Sequence, residues 1–388
     1  MSINTDVIHG GIAEDKTTGA VSVPIYLAST FRQQGLGELT GGENGFEYSR
    51  SGNPTRKALE ALIAELEGGK YGFAFASGLA ALTTIFLLFK SGDKILISKN
   101  VYGGTYRILE KVVKNFGLNY EFTDTDNLEK VESIVANDKT IKAILIESPA
   151  NPLLTVTDIE GISKITKKHN LTYIVDNTFM SPYLQQPLNL GADIVIHSGT
   201  KYLGGHSDVV NGVVAVNDKD LADRLRFLQN AAGGILSPFD SWLLIRGIKT
   251  LAVRMDRHSE NAEFVADFLS KHEAVENLYY PGLKTHSGYE IQKKQAKSGG
   301  GMISFTLKSG QYDFKKFLKE IKLVALAESL GGVESLICHP ATMTHASIPA
   351  DIRDTIGITD SLLRLSVGIE DKKDIVADLE NALKKAKI

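Results

Sequence analysis

Two stretches decide the fold: Tyr173-Ile174-Val175-Asp176-Asn177-Thr178 and Ile194-Val195-Ile196-His197-Ser198-Gly199-Thr200-Lys201. Each begins with a short, continuous apolar run, which predicts a strand buried on both faces. The other segments of this region are the apolar runs at 95–97 and 143–146 and the helical stretches at 105–116, 128–136 and 159–169. Strands that alternate with helices predict an α/β fold whose sheet is mostly parallel and covered by helices on both faces.

Before this region, the first 50 residues lack the periodic pattern of strands and helices. Residues 1–50 contain Pro24 and five glycines between positions 35 and 45, which break any periodic pattern. They are predicted to form an irregular N-terminal arm that lies on another surface. A clear helix follows, with Asn53 as its N-cap and Pro54 in its first position.

The length of 388 residues indicates about two domains. We expect a large domain over residues 51–249 and a smaller C-terminal α+β domain over residues 250–388. In the smaller domain, strands are predicted at 302–307 and 363–367, and a closing helix at 374–385.

Composition excludes several classes of function. The 43 lysines and arginines against 46 acidic residues leave a net charge of −3, which argues against a nucleic-acid partner bound through a basic field. The single cysteine, Cys338, excludes an intramolecular disulfide and fits a cytoplasmic protein. No membrane partner is expected, because the uncharged stretch 71–89 is broken at Ser77-Gly78 and residues 1–6 lack a signal segment. No metal is expected either, because the nine histidines form no HExxH pattern.

The ends of the two deciding strands carry candidate chemistry. Asp176 and Lys201 would meet at one edge of the sheet, where such folds bind ligands. Their ordinary interpretation is a structural salt bridge or two solvated loop residues. However, glycines and small residues surround Lys201 and leave room for a flat ligand. A carboxylate for a pyridinium nitrogen and a lysine for a Schiff base are what pyridoxal phosphate requires.

A phosphate would need its own binding site. Ser77-Gly78-Leu79 lies between a predicted strand and a predicted helix, so the N–H groups of Gly78 and Leu79 and the helix dipole would face an anion. Ordinary helix capping explains the same residues, and alone this signal is weak.

Six motifs match one family in order along the chain. They are Tyr48-Ser49-Arg50-Ser51-Gly52-Asn53-Pro54-Thr55, Ser77-Gly78-Leu79-Ala80-Ala81, Val101-Tyr102-Gly103-Gly104-Thr105, Val175-Asp176-Asn177-Thr178, the segment 198–208 and Ala327-Glu328-Ser329-Leu330-Gly331-Gly332-Val333-Glu334-Ser335-Leu336. The chain resembles the Cys/Met-metabolism pyridoxal-phosphate enzymes over essentially its whole length, most closely the cystathionine γ-lyase and γ-synthase branches. This resemblance implies fold type I of the pyridoxal-phosphate (PLP)-dependent transferases, which is aspartate aminotransferase-like.

The resemblance also implies roles for individual residues. Lys201 would hold PLP as a Schiff base and move protons, Asp176 would pair with the pyridine nitrogen, and Tyr102 would stack on the ring; these three would be catalytic. The other implied cofactor ligands are Gly78, Leu79, Ser198 and Thr200 at the phosphate, Asn151 near the 3-hydroxyl, and Tyr48 and Arg50 from a neighbouring subunit. The arm would then be ordered against a partner, in a homotetramer built as a dimer of dimers with shared active sites.

The resemblance places the substrate, a small amino acid, at Arg364, which would clamp its α-carboxylate with Ser329 and Asn151 nearby. Without the family match, an arginine that balances Glu370 or Asp371 would be the better interpretation. The acids Glu328 and Glu47 would attract a distal ammonium group of the substrate, although solvated surface acids are their ordinary interpretation.

Two positions bear on the reaction. Gly104 stands where methionine γ-lyases usually carry a cysteine, and Glu328 precedes Ser329, where cystathionine β-lyases typically lack an acid. The resemblance therefore implies a γ-elimination that converts L-cystathionine to L-cysteine, 2-oxobutanoate and ammonia, a step of transsulfuration in cysteine and methionine metabolism.

Three alternatives stay open at this point. One is γ-replacement on an O-acylhomoserine by cysteine, and another is a broader β- and γ-eliminating lyase. The third belongs to another class: a catalytically silent binding protein with the same fold. The presence together of Lys201, Asp176, Tyr102 and Arg364 argues against the silent protein.

Overall fold

The structure is a computed structural model that describes residues 1–11, 15, 17–42 and 45–388. The strands are Gln33–Gly35 (β1), Glu38–Leu39 (β2), Tyr71–Phe75 (β3), Lys94–Ser98 (β4), Asn119–Thr123 (β5), Ile141–Glu147 (β6), Thr172–Asp176 (β7), Ile194–His197 (β8), Gly212–Val216 (β9), Val275–Tyr279 (β10), Met302–Leu307 (β11), Ala325–Leu326 (β12), Leu336–Cys338 (β13) and Leu362–Ser366 (β14).

The helices lie between these strands and at both ends of the chain. They are Ile3–His9 (α1), Pro54–Leu66 (α2), Gly78–Phe86 (α3), Gly103–Lys111 (α4), Leu128–Asn137 (α5), Ile159–His169 (α6), Ser181–Leu184 (α7), Lys219–Ala232 (α8), Pro238–Ile248 (α9), Leu251–Lys271 (α10), Tyr289–Gln295 (α11), Phe314–Glu320 (α12), Ala350–Thr355 (α13) and Lys372–Ala386 (α14), with 3₁₀ turns at Val113–Phe116 and Pro187–Leu190.

The larger sheet has seven strands in the order β3-β9-β8-β7-β6-β4-β5. All neighbouring pairs are parallel except those of β9, which runs antiparallel to both β3 and β8. The carboxyl ends of β3, β4, β6, β7 and β8 therefore meet at one edge, and β9 begins there. The expectation of a mostly parallel α/β sheet is confirmed.

Helices cover both faces of this sheet, as its alternating side chains show. Ile95 and Ile97 pack in one apolar cluster, whereas Leu96 between them packs in another on the opposite face. Side chains of β7 and β8 divide in the same way, with Ile174 and Val175 on opposite faces. Continuous apolar strands arise here because both faces are buried.

The second sheet has five strands in the order β10-β11-β14-β13-β12. Its pairs are antiparallel except β12 with β13, and it has its own apolar cluster, to which α10 and α14 contribute. The predicted strand at 302–307 has the expected bounds, and the one predicted at 363–367 lies one residue earlier, at Leu362–Ser366.

Other predicted bounds need correction. Residues 1–50 are not wholly irregular, because they include helix α1 and the short pair β1–β2. The helix predicted at 105–116 is α4 followed by a 3₁₀ turn, because Val112, with φ −126° and ψ −66°, leaves helical geometry. Strand β9 was not predicted at all.

Helix α2 begins at Pro54, as the sequence predicted. The Asn53 side chain accepts hydrogen bonds from the N–H groups of Thr55 and Arg56, and Pro54 occupies the first turn. In the described residues, no helix is long and apolar enough to span a membrane.

Candidate active site

A cavity of about 310 Å³ lies at the carboxyl edge of the seven-stranded sheet. Eleven of the predicted site residues line it: Gly78, Leu79, Tyr102, Asn151, Asp176, Ser198, Thr200, Lys201, Glu328, Ser329 and Arg364. Three do not: Glu47, Tyr48 and Arg50 lie outside the cavity of their own chain.

The topology explains this convergence. Asp176 ends β7, Lys201 lies in the turn after β8, and Asn151 follows β6, so parallel neighbours deliver all three to one edge. Arg364 comes from the other sheet, where β14 carries it toward the same cavity. The site therefore forms where the two sheets meet.

Asp176 is held by the turn that follows it. Both the N–H of Thr178 (2.9 Å) and its hydroxyl (2.5 Å) donate to the same carboxyl oxygen, Oδ1 of Asp176. The second oxygen, Oδ2, is not engaged by this turn. Burial raises the pKa of Asp176, while the Thr178 hydrogen bonds and His197 oppose that shift. A cation or an N–H donor in the cavity would restore the charged form.

The Lys201 amine is also held in the cavity by a hydrogen bond. Its Nζ donates to Oγ of Ser329 at 3.0 Å, across the cavity from its own strand. Burial lowers its pKa to about 8, with a further lowering by the Arg364 guanidinium and an opposing effect from Glu328. A substantial fraction of this amine is therefore neutral near physiological pH, as a nucleophile or proton acceptor requires.

Arg364 is buried, with 2% of its surface exposed. Its Nη1 donates to Oδ1 of Asn151 at 2.7 Å and its Nη2 to the carbonyl of Ser329 at 3.1 Å. Nε has no protein partner among the described residues. Glu370, the acid that would balance it in the ordinary interpretation, instead accepts hydrogen bonds from the N–H and hydroxyl of Ser335. A buried donor without a partner is costly, so the guanidinium is prepared for an anionic ligand.

The start of α3 forms an anion cradle. The Ser77 side chain caps the helix by accepting from the Ala80 N–H at 3.0 Å, which leaves the N–H groups of Gly78 and Leu79 outside that cap. A Cβ on Gly78 would lie 3.1 Å from Cβ of Ser198, so glycine keeps this part of the cavity open. Capping and anion binding are thus compatible here, because they use different N–H groups.

The ring of Tyr102, the N-cap residue of α4, lies over Gly104, which comes two residues later in the chain. A Cβ on Gly104 would lie 2.3 Å from Cε1 of the Tyr102 ring. Any side chain at position 104, including a cysteine, would therefore displace this ring from its present position. The tyrosine is 40% exposed, so its ring is accessible from the cavity.

One important residue was not among the predicted site residues. Glu147 ends β6 beside Asp176 of β7, lines the cavity and is 7% exposed. Its signal was present in the sequence, because it follows Ile144-Leu145-Ile146 just as Asp176 follows Ile174-Val175. The cavity also contains Ser77, which belongs to the motif at 77–81, and Pro149, Phe179 and Thr344, which carry no distinctive sequence signal.

The three predicted residues outside the cavity lie together on the chain. Tyr48 is 45% exposed, and the guanidinium of Arg50 lies 5.4 Å from the centre of its ring. Nε of Arg50 donates to Oδ1 of Asn230 at 3.2 Å. Their predicted contribution to a neighbouring subunit's site stays a prediction.

The residues present fit pyridoxal phosphate. The cavity brings together a primary amine of lowered pKa at Lys201, a buried acid at Asp176 and an anion cradle at Gly78. The unpaired Nε of Arg364 adds a place for an amino-acid carboxylate. These donors and acceptors match a phosphorylated pyridine aldehyde and its substrate.

Fold and site together define a PLP-dependent enzyme of fold type I. The model of the Cys/Met metabolism PLP-dependent enzyme family matches residues 4–384, and the chain belongs to this family. A cystathionine β-lyase from Lactococcus lactis subsp. cremoris (strain MG1363) is 56% identical over 384 residues, 99% of each chain. A cystathionine γ-lyase from Bacillus subtilis (strain 168) is 54% identical, again over 99% of each chain.

A solved structure agrees with these relatives. The cystathionine γ-lyase from Lactobacillus plantarum complexed with L-serine superimposes with a TM-score of 0.96 and 51% identity. The match covers 100% of this chain and 99% of that one.

Proposed function

We propose that this enzyme catalyses the γ-elimination of L-cystathionine to L-cysteine, 2-oxobutanoate and ammonia. One observation carries the proposal. The arginine Arg364, the lysine Lys201, whose pKa is lowered, and the exposed acid Glu328 share one cavity. Cystathionine has a carboxylate and an amine at its reacting end and a second ammonium at its far end. The cavity has a partner of suitable chemistry for each.

The reacting end is bound by Arg364. In the proposed complex its free Nε donates to the substrate α-carboxylate, while Asn151 and the Ser329 carbonyl hold Nη1 and Nη2 in place. A guanidinium fixed on two sides loses little conformational freedom when it binds a third group. Asn151 thereby orients Arg364, besides its proposed place near the cofactor 3-hydroxyl.

The far end is bound by Glu328. This carboxylate lines the cavity but remains exposed, and it is close enough to Lys201 to raise that amine's pKa. It would pair with the distal ammonium of cystathionine. An acid directly before Ser329 also favours the γ-lyase interpretation over the β-lyase one.

The remaining groups hold the cofactor and move protons. Asp176 would accept the hydrogen bond of the pyridine nitrogen, Tyr102 would cover the ring, and Gly78, Leu79, Ser198 and Thr200 would hold the phosphate. When bound, PLP supplies an electron sink for the carbon that loses a proton. Lys201 Nζ would take the proton from Cα, pass it to C4′ of the cofactor and then take one from Cβ, and the Tyr102 hydroxyl would protonate the departing sulfur.

The proposal extends to the assembly. Tyr48 and Arg50 would reach the phosphate of a neighbouring subunit, and Glu47 would approach its substrate, in a homotetramer built as a dimer of dimers. Their position outside the cavity of their own chain supports this arrangement. We place the enzyme in the cytoplasm, which suits its buried free thiol at Cys338.

β-Elimination is the second candidate, because a relative at 56% identity is named cystathionine β-lyase. The two reactions use the same substrate and differ in their products. γ-Elimination gives 2-oxobutanoate and cysteine, whereas β-elimination gives pyruvate and homocysteine.

The deciding experiment supplies cystathionine alone and quantifies both 2-oxo acids and both thiols by mass spectrometry. We expect 2-oxobutanoate and cysteine to dominate, and Lys201→Ala to abolish their release. Lys297→Ala is the matched control, because this lysine packs over the Tyr183 ring, 4.2 Å from its centre and outside the cavity.

Two results would replace the proposal. Dominant pyruvate and homocysteine would establish β-elimination. Negligible 2-oxo acid from cystathionine, with rapid cystathionine formation from an O-acylhomoserine and cysteine, would establish a γ-synthase.

A further inference from the structure

Glu147 is a buried acid for which the proposed mechanism has no use. It ends β6 in register with Asp176 on β7, so two carboxyl groups lie side by side at the cavity edge. Burying a carboxyl group is costly unless it is hydrogen-bonded or neutral. An acid at this position therefore requires a structural reason.

The reason lies in what its two oxygens bind. Oε1 accepts a hydrogen bond from the backbone N–H of Tyr102 at 2.8 Å, and Oε2 accepts one from the backbone N–H of Asn151 at 3.3 Å. Tyr102 is the N-cap residue of α4, and its own side chain makes no capping bond. Glu147 thus ties together two loops that leave the sheet after different strands.

Both loops carry side chains that face the cavity. Tyr102 presents its ring, and Asn151 presents an amide whose Oδ1 accepts from Arg364. From Arg364 the network continues to the Ser329 carbonyl, and the Ser329 hydroxyl accepts from Lys201. A displacement of either loop would therefore reach the ring-covering tyrosine or the substrate-binding arginine.

We propose that Glu147 is a positioning residue, which fixes the backbones of Tyr102 and Asn151 with one carboxyl group and so sets the geometry of cofactor and substrate contacts. This rests on the contacts assigned to Tyr102 and Asn151 in the proposed function, but not on which bond the enzyme cleaves. An amide cannot replace the acid, because its NH₂ group would face a backbone N–H donor.

The charge state of the pair is compatible with this role. Burial, and then the charge of Asp176, raise the pKa of Glu147, whereas the backbone N–H groups of Tyr102 and Asn151, and then Arg364, lower it. Its two oxygens are already engaged by the N–H groups of Tyr102 and Asn151. Glu147 therefore holds two loops without competing with Asp176 for a cationic partner.

The test compares Glu147→Gln and Glu147→Asp with Glu60→Gln in the full-length enzyme. Glu60 is a matched control, since it is another buried acid that accepts from a backbone N–H, that of Ala74 at 3.1 Å, and lies outside the cavity. The readouts are the dissociation constant of PLP from the apoenzyme, the visible circular dichroism of the bound cofactor, and the melting temperature.

We expect both Glu147 variants to raise the PLP dissociation constant about five- to tenfold and to change the visible dichroism. Gln loses one acceptor, and Asp is too short to reach both N–H groups. Glu60→Gln should lower the melting temperature without either effect. In turnover, KM for the amino acid should rise in both Glu147 variants, because Asn151 no longer holds Arg364.

Two outcomes would overturn the inference. If Glu147→Asp matches the wild type in PLP affinity and dichroism, only the charge of the residue matters and the two-loop role is wrong. If Glu147→Gln weakens PLP binding no more than Glu60→Gln does, the residue is merely structural. Since none of these readouts depends on the reaction products, they separate this inference from the proposed function.

Discussion

At the scale of single residues, we predict that the protonation of Lys201 controls entry of the cofactor. Burial is the largest cause of its lowered pKa of about 8, the nearby Arg364 cation adds to it, and Glu328 opposes it. Only the neutral amine can attack an aldehyde. Uptake of PLP by the apoenzyme should therefore accelerate as the pH rises through about 8.

Substitution of the two charged residues near Lys201 should shift the pH dependence of PLP uptake in opposite directions. Arg364→Met removes a like charge and should shift the inflection to higher pH, whereas Glu328→Gln removes an opposite charge and should shift it to lower pH. Stopped-flow absorbance, followed by borohydride trapping of the linkage, measures the rates. An inflection near the unperturbed value of 10.5 would contradict this explanation.

Glu328 itself gives a second prediction at this scale. Glu328→Gln should raise KM for cystathionine about two- to fivefold, the range expected for an exposed charge pair. It should leave KM for homocysteine, which lacks the distal ammonium, unchanged. Glu334→Gln serves as the control, since Glu334 lies in the same segment but outside the cavity lining. Equal effects of Glu328→Gln on both substrates would contradict the pairing.

The sequence predicted single residues best where a strand ended in a polar side chain. Asp176 and Lys201 were found in this way, and both line the cavity. Glu147 carries the same signal but was not recognised, because its partners are backbone N–H groups that no sequence pattern displays. The acid at a strand end is visible in a sequence, whereas what it binds is not.

At the scale of elements, the anion cradle depends on how closely β9 approaches the turn before α3. A Cβ on Gly212, the first residue of β9, would lie 2.4 Å from the Ser77 carbonyl oxygen and 2.7 Å from Cα of Gly78. Because β9 is hydrogen-bonded to β3 on one side and to β8 on the other, it cannot be displaced easily. The turn that holds the cradle must move instead.

Gly212→Ala should therefore weaken PLP binding about tenfold and lower the melting temperature. Gly234→Ala is the control, since its Cβ would make only ordinary contacts, with the Ala80 Cβ at 3.6 Å and Cδ1 of Phe75 at 4.0 Å. Equilibrium dialysis of the apoenzymes against PLP measures the affinity. Unchanged affinity in Gly212→Ala would show that the turn tolerates the displacement.

Elements were predictable where local chemistry fixes them. Asn53 and Pro54 mark the start of α2 because capping and the fixed φ of proline act within one turn. Strand β9 is different: its Gly-Val-Val-Ala-Val sequence allows a buried strand but not its direction. That direction depends on the path between β8 and β9, which is a tertiary property. The site needs β9, because it delivers Gly212 to the cradle.

At the scale of the whole molecule, the active site depends on contacts between distant parts of the chain. Arg364 bonds Asn151, 213 residues away, and the Ser304 hydroxyl donates to the Pro152 carbonyl at 2.6 Å. These bonds join the two sheets on either side of the cavity. Periodicity predicts each sheet separately, but only the family resemblance indicated that Arg364 would meet the cofactor edge of the other.

In the proposed assembly, each active site contains residues from two chains. If Arg50 serves a neighbouring subunit, then in a mixed dimer the Arg50→Ala substitution of one chain and the Lys201→Ala substitution of the other affect the same site. One site then carries both defects and the other carries none. Random reassociation of equal amounts makes about half of the dimers mixed, so about a quarter of all sites should be intact.

We therefore expect the two inactive variants, dissociated and reassembled together, to regain about a quarter of wild-type activity. Asp176→Asn reassembled with Lys201→Ala is the control, because both residues line the cavity of their own chain and every mixed site keeps a defect. Activity in the first mixture no higher than in the control would show that Arg50 acts within its own chain. Recovery only in the first mixture would require a site shared between two subunits, since no single chain in it is complete.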